Sequence, residues 1–129
     1  KTSQFIGLYD TTVTDMYYPY IFPQQTGNHS DVRWAEITSP KKGVALRFQA
    51  EKSMDFSALH FADEDLDMGL EKKMMHQKDM HPRMETYVIL DGAQRGVGGD
   101  NSWGEPPHTK YRLFDGEYSL NFRLCLNSL

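Results

Sequence analysis

Trp103 stands in the run Gly98-Gly99-Asp100-Asn101-Ser102-Trp103-Gly104. Glycines let a backbone turn sharply and approach another surface closely. A tryptophan on such a loop can present a flat apolar face. The C–H face of a sugar ring stacks on an indole, and its hydroxyls need polar neighbours such as Asp100 and Asn101. Trp103, Asp100 and Asn101 are therefore the candidate substrate-binding residues. The alternative is an indole folded back over the edge of a sheet. Gly96-Val97-Gly98-Gly99 has the outline of a dinucleotide fingerprint, but its third glycine would fall at Asn101 and no βαβ pattern follows, so that reading is rejected.

Glycoside hydrolysis needs two carboxylates flanking one bond. Asp31, Glu36, Asp55, Glu85, Asp91 and Asp100 are available, yet no local pattern pairs two of them, and no catalytic residue is assigned. Asp63, Glu64, Asp65 and Asp67 read as a solvated helix face. His76 and His81 lie five apart beside Pro82, whereas zinc histidines on one helix face lie four apart. No metal site is expected, and the neighbouring methionines read as packing groups. No serine or cysteine sits in a nucleophile elbow. Asn28-His29-Ser30 matches a glycosylation sequon, which matters only in a eukaryotic secretory setting.

These residues must be held by a chain of 129 residues, enough for a single domain spanning 1–129 with a real core. A hydrophobic share of 39% and an aromatic share of 12% are globular values. Fourteen basic against 18 acidic residues leave a net charge of -4 and no basic stripe. That argues against nucleic acid as a partner. No apolar run is long enough to span a membrane as a helix. The lone Cys125 excludes an internal disulfide and fits a cytoplasmic or a periplasmic setting alike.

The dominant pattern is short strands separated by turns. Strands are expected at 4–9, 31–38, 44–50, 56–61 and 85–91. The stretch 17–22, interrupted by Pro19, reads as an edge strand or extended arm. In 31–38 simple alternation puts Val32, Trp34 and Glu36 on one face and Arg33, Ala35 and Ile37 on the other. Residues 39–43 read as a hairpin loop. A short helix is expected at 62–68 with Asp63 as its cap, and a further turn at 72–77. Residues 92–104, with five glycines, read as a shaped loop. A last hairpin, 111–114 with 118–126, is expected around Asp115-Gly116. The sum is an all-β fold, an antiparallel β-sandwich with one or two short helices.

Longer blocks carry more information. Thr14-Asp15-Met16-Tyr17-Tyr18-Pro19-Tyr20, Pro23-Gln24, Gly27-Asn28, Asp31-Val32-Arg33-Trp34, Phe56-Ser57-Ala58-Leu59-His60 and Gly96 through Trp103 occur in order. Together they resemble the C-terminal, small-chain domain of the family 2 glycoside hydrolase β-galactosidases, from about Phe5 to the end. The resemblance implies a β-supersandwich like that of galactose mutarotase, closing one side of an active site built mainly by a separate barrel domain. It implies that the catalytic glutamates lie in that barrel, outside this chain, and that the whole enzyme cleaves terminal β-galactosides with retention. Trp103 then stacks on the sugar in the aglycone position. The resemblance also implies Mg²⁺ and Na⁺ in the whole enzyme, held mainly by other domains, with no cofactor in this chain. The expected partners are a galactoside substrate, the enzyme's remaining domains and further copies in a homo-oligomer.

Gln25-Thr26 stands where the family usually has Glu-Asn, which removes whatever that Glu does. The family domain is also considerably longer, so the resemblance implies that its N-terminal half lies outside this sequence, leaving sheet edges and an apolar face exposed. Two other readings stand beside this one: a free-standing carbohydrate-binding module, and a purely structural or oligomerisation domain.

Overall fold

A computed structural model describes residues 5–19, 26–67, 79–95 and 104–129. Among these the chain is all-β, with four antiparallel strands in one sheet and two one-turn helices. The strands are β1 (His29–Ser39), β2 (Val44–Leu59), β3 (Tyr87–Asp91) and β4 (Phe122–Ser128). β2 is the axis, and every pairing is made to it. β1 takes one edge, from Ser39 opposite Val44 to His29 opposite Phe56. The other edge is shared end to end: β4 pairs with Val44 to Ala50 and β3 with Asp55 to Leu59.

The separate strands expected at 44–50 and 56–61 are one strand of 16 residues. Its even-numbered side chains form the apolar face: Phe48, Ala50, Met54, Phe56 and Ala58 are buried together. Val32, Ala35, Ile37, Leu46, Val88 and Leu90 pack against them. The rings of Phe48 and Phe56 lie tilted, 5.9 Å apart. Burying each ring is worth about 1.5–3 kcal/mol, and their contact adds about 0.5–1.5 kcal/mol.

Simple alternation fails in β1. Val32 shares the core face with Ala35 and Ile37, while Trp34 and Glu36 lie opposite. The cause is a pair of register shifts, between His29 and Val32 and between Val32 and Trp34. In the second, two residues pass on β1 while five pass on β2 (Val32 opposite Met54, Trp34 opposite Gln49). An odd offset turns a strand over. Glu51 and Lys52, exposed between the two apolar stretches of β2, accommodate it. On the polar face Arg47 lies 4.1 Å over the Trp34 ring and 3.7 Å from Glu36.

Other expectations are corrected. Residues 5–9 form no strand, and Phe5, Ile6, Leu8 and Tyr9 are exposed. The hairpin loop is a 3-10 turn over Pro40–Lys42, closed by Gly43 in the left-handed region. The expected 62–68 helix is the short α2 (Asp63–Leu66). Asp65, not Asp63, reaches back to accept from the Ala62 N–H at 2.9 Å. Asp65 also pairs with Arg83 at 2.7 Å, so this acidic run is not merely solvated. The C-terminal hairpin does not form. The Tyr118 hydroxyl accepts from Phe114 N at 3.1 Å and donates to Phe114 O at 2.6 Å. Those bonds replace a cross-strand partner, and β4 pairs with β2 instead. The expected elements at 17–22 and 72–77 fall wholly or partly outside the described residues.

One helix escaped the sequence reading. In α1 (Val13–Met16), Thr12 Oγ1 accepts from Asp15 N at 3.1 Å and donates to Asp15 Oδ2 at 2.7 Å. Thr-x-x-Asp was the available signal. Met16 carries this turn onto the Phe48 cluster and onto a second cluster of Leu59, Phe61 and Met80.

Candidate functional site

Trp103, Asp100 and Asn101 lie outside the described residues. The structure does show how the chain is held where it enters their loop. Two segments meet there, the approach to β1 and the exit from β3.

The approach to β1 is set by Gly27. Its φ of +72° is open to glycine at no steric cost. A Cβ there would lie 2.8 Å from Leu59 Cδ2 and 2.9 Å from the Met16 carbonyl oxygen. Thr26, buried beside it, clips the segment to Tyr18: its hydroxyl donates to the carbonyl at 2.5 Å and accepts from the N–H at 3.1 Å. Asn28 is thereby presented over the polar face of β2. Asp31, at φ +58°, is the described non-glycine residue in the left-handed region, where a short Asx side chain is best tolerated.

The exit from β3 brings two carboxylates together. Asp91, its last residue, lies directly opposite Asp55 of β2. Cβ atoms of such a pair are about 4.5–5.5 Å apart. Burial pushes the Asp55 carboxyl up from its ordinary value; hydrogen bonds from Asn28, the Asp31 N–H and Ser30 oppose this, while the Asp91 charge adds to it. Gln94 then donates from Nε2 to Asp91 Oδ2 at 2.9 Å. Its Oε1 accepts a long bond from Asn28 Nδ2 at 3.5 Å. Asp55, Asn28, Gln94 and Asp91 thus form an open polar chain that joins β2, the lead into β1 and the end of β3, with the two like-charged carboxylates at its ends. Gly92 lies against Leu120 and the Ser119 carbonyl, bracing that segment from another side.

The chain of bonds ties backbone segments together. Asn28, Ser30 and the Asp31 N–H all oppose the upward push of burial on Asp55. The Asp55–Asp91 pairing was invisible in the sequence, since the residues are 36 positions apart (91 − 55) and only register joins them. Glu36 is engaged with Arg47. His60 Nδ1 lies 2.9 Å from the Glu85 carbonyl oxygen. Among the described residues no three His, Cys, Asp or Glu side chains converge to hold a metal ion.

Comparison with known proteins gives the chain its setting. A family model described as the beta galactosidase small chain matches residues 1–124. Beta-galactosidase BgaC of Bifidobacterium adolescentis is 40% identical over 124 residues, covering 94% of this chain and 11% of that protein. The beta-galactosidase of Streptococcus thermophilus is 32% identical over 122 residues, covering 93% of this chain and 11% of the relative. That of Lactobacillus delbrueckii subsp. bulgaricus is 32% identical over 126 residues, covering 97% and 12%. The chain therefore spans about a ninth of the length of the curated relatives it matches.

Proposed function

The chain belongs to the β-galactosidase small-chain family, and from that premise we propose that it is the accessory, substrate-site domain of a retaining β-galactosidase that hydrolyses terminal β-D-galactosides. The family match over nearly the whole chain carries this reading. The two catalytic carboxylates and the Mg²⁺ and Na⁺ sites belong to other parts of the whole enzyme. This domain contributes Trp103 as the surface on which the aglycone sugar stacks, with Asp100 and Asn101 as its polar neighbours. Stacking acts on a bound acceptor whatever the fate of the galactosyl group, so its loss should register in acceptor binding before it registers in bond cleavage.

The test is Trp103→Leu in the full-length enzyme. By analogy with other ring-stacking contacts, about 1–3 kcal/mol of acceptor affinity should be lost. Transfer of galactose to a sugar acceptor should fall relative to hydrolysis. Unchanged acceptor behaviour would remove Trp103 from the site.

A second contribution, docking within the whole enzyme, is favoured by a separate observation. Phe122, Leu124 and Leu126 of β4 pair with Ala50, Phe48 and Leu46, which puts them on the apolar face. They are nevertheless 44, 54 and 72% exposed. A stripe of this kind marks a surface that another layer covers, and the remaining length of the enzyme supplies a candidate. A free-standing carbohydrate-binding module has no comparable support. Titration of the 129-residue chain with lactose separates the two readings, because an accessory domain alone should bind almost none.

A further inference from the structure

We propose that the outer edge of β4 is completed by an extended segment of the same polypeptide lying outside these 129 residues, an inference that rests on the reading of the chain as one part of a larger β-galactosidase and not on Trp103. The phase of the hydrogen bonds carries it. The Glu51 N–H donates to the Asn121 carbonyl at 2.9 Å, and the Leu129 N–H to the Gly43 carbonyl at 3.0 Å. Both bonds continue the register that sets Val44 opposite Ser128 and Ala50 opposite Phe122. In an antiparallel ladder, residues that exchange bonds with the partner alternate with residues that do not. Arg123, Cys125 and Asn127 therefore turn their N–H and C=O groups towards β2. Phe122, Leu124, Leu126 and Ser128 turn theirs the other way, and among the described residues no strand pairs with that side.

The residues whose backbone points outward also carry the exposed apolar stripe of β4. Open edges in native sheets are blunted by proline, lysine, a bulge or a very short strand. β4 is seven residues, Phe-Arg-Leu-Cys-Leu-Asn-Ser, with neither proline nor lysine, and its register to β2 is unbroken. Its charged residue, Arg123, stands opposite Gln49 on the polar face. An edge built this way is a template for another strand.

A second copy of this chain is the poorer occupant. Two β4 edges paired antiparallel are related by a two-fold axis perpendicular to the sheet, which keeps both apolar stripes on one side. The exposed apolar surface then doubles instead of being covered. The chain makes up only 11% of its relatives from Bifidobacterium adolescentis and Streptococcus thermophilus. An enzyme of that length has residues to spare for a strand and for the layer behind it. The segment that fits is extended and free of proline, with aliphatic or aromatic side chains on the side of Phe122, Leu124 and Leu126.

The experiment uses the dilute full-length enzyme, assayed in parallel for hydrolysis of a nitrophenyl β-galactoside. Hydrogen exchange is read amide by amide in the peptide that contains β4. The amides of Arg123, Cys125 and Asn127 are the internal control, because β2 protects them. Those of Phe122, Leu124 and Leu126 should exchange about a hundredfold more slowly than unpaired amides, level with the control. Benzoylphenylalanine in place of Asn127 then identifies the neighbour. On irradiation it should join a segment outside these 129 residues, in a product with the denatured mass of one chain.

Fast exchange at Phe122, Leu124 and Leu126 beside a slow control, in enzyme that hydrolyses the galactoside, overturns the proposal and leaves the β-galactosidase reading standing. A crosslinked product with the mass of two chains gives the edge to a second copy and overturns it too. So does a crosslink to another part of the 129 residues. A full-length protein that hydrolyses no β-galactoside removes the underlying reading, and the proposal with it.

Discussion

Gly27→Ala should be the most damaging single-methyl change in the described part of this chain, and Gly43→Ala is its control. Both glycines have left-handed backbones, at φ +72° and +65°. An L side chain in that region costs about 1–2 kcal/mol, so the conformational penalty is shared. The surroundings differ. Around Gly43 a Cβ would meet nothing within 4 Å. At Gly27 it would sit 2.8 Å from Leu59 Cδ2 and 2.9 Å from the Met16 carbonyl oxygen. Leu59 is 1% exposed and the other neighbour is backbone, so neither can move aside cheaply. Overpacking of this kind adds about 1–3 kcal/mol. The expectation is about 1–2 kcal/mol for Gly43→Ala and about 2–5 kcal/mol for Gly27→Ala. Equilibrium urea unfolding followed by circular dichroism measures both, with slopes checked for equality so that midpoints report stability. If the two variants lose the same stability, close packing at Gly27 is not what fixes the approach to β1, and the account of how Asn28 is placed fails with it.

Two further outcomes are expected. Asp65→Asn keeps an acceptor but removes the charge that faces Arg83. The Arg83 hydrogen bond is the main cause holding the Asp65 carboxyl below its usual range. A carboxylate whose folded value is depressed stabilises above its unfolded value, about 3.9, and loses that contribution as pH falls through the folded value. The wild type should therefore melt above Asp65→Asn at pH 7 and coincide with it under strong acid, and a gap that persists in acid would refute the assignment. Leu124→Ser with Leu126→Ser should cost the isolated chain only about 1–2 kcal/mol, since Leu124 is 54% and Leu126 72% exposed. Wild-type chain should self-associate in sedimentation experiments and this variant should not; a wild-type monomer at high concentration would count against a docking face.

Much of the chain's character was legible from local pattern. The strand expected at 44–50 is the first part of β2, because strand-forming pattern is a property of neighbouring residues. The expected strand at 85–91 marked β3. The motif blocks from Thr14 to Trp103 pointed to the β-galactosidase family that the comparison establishes. What local pattern could not reach was pairing and register. Which edge β4 joins is decided by a loop closure across the domain, and Tyr118 removed the reason for the local hairpin by bonding both backbone groups of Phe114. The Val32–Trp34 turnover depends on how many β2 residues pass opposite β1, a count held by neither strand alone. The same holds for the polar chain that follows β3. Nothing in the sequence joined Asn28, Asp55, Asp91 and Gln94, and they came together only when antiparallel register set Asp55 against Asp91 and a tight glycine turn brought Asn28 to Asp55 and Gln94.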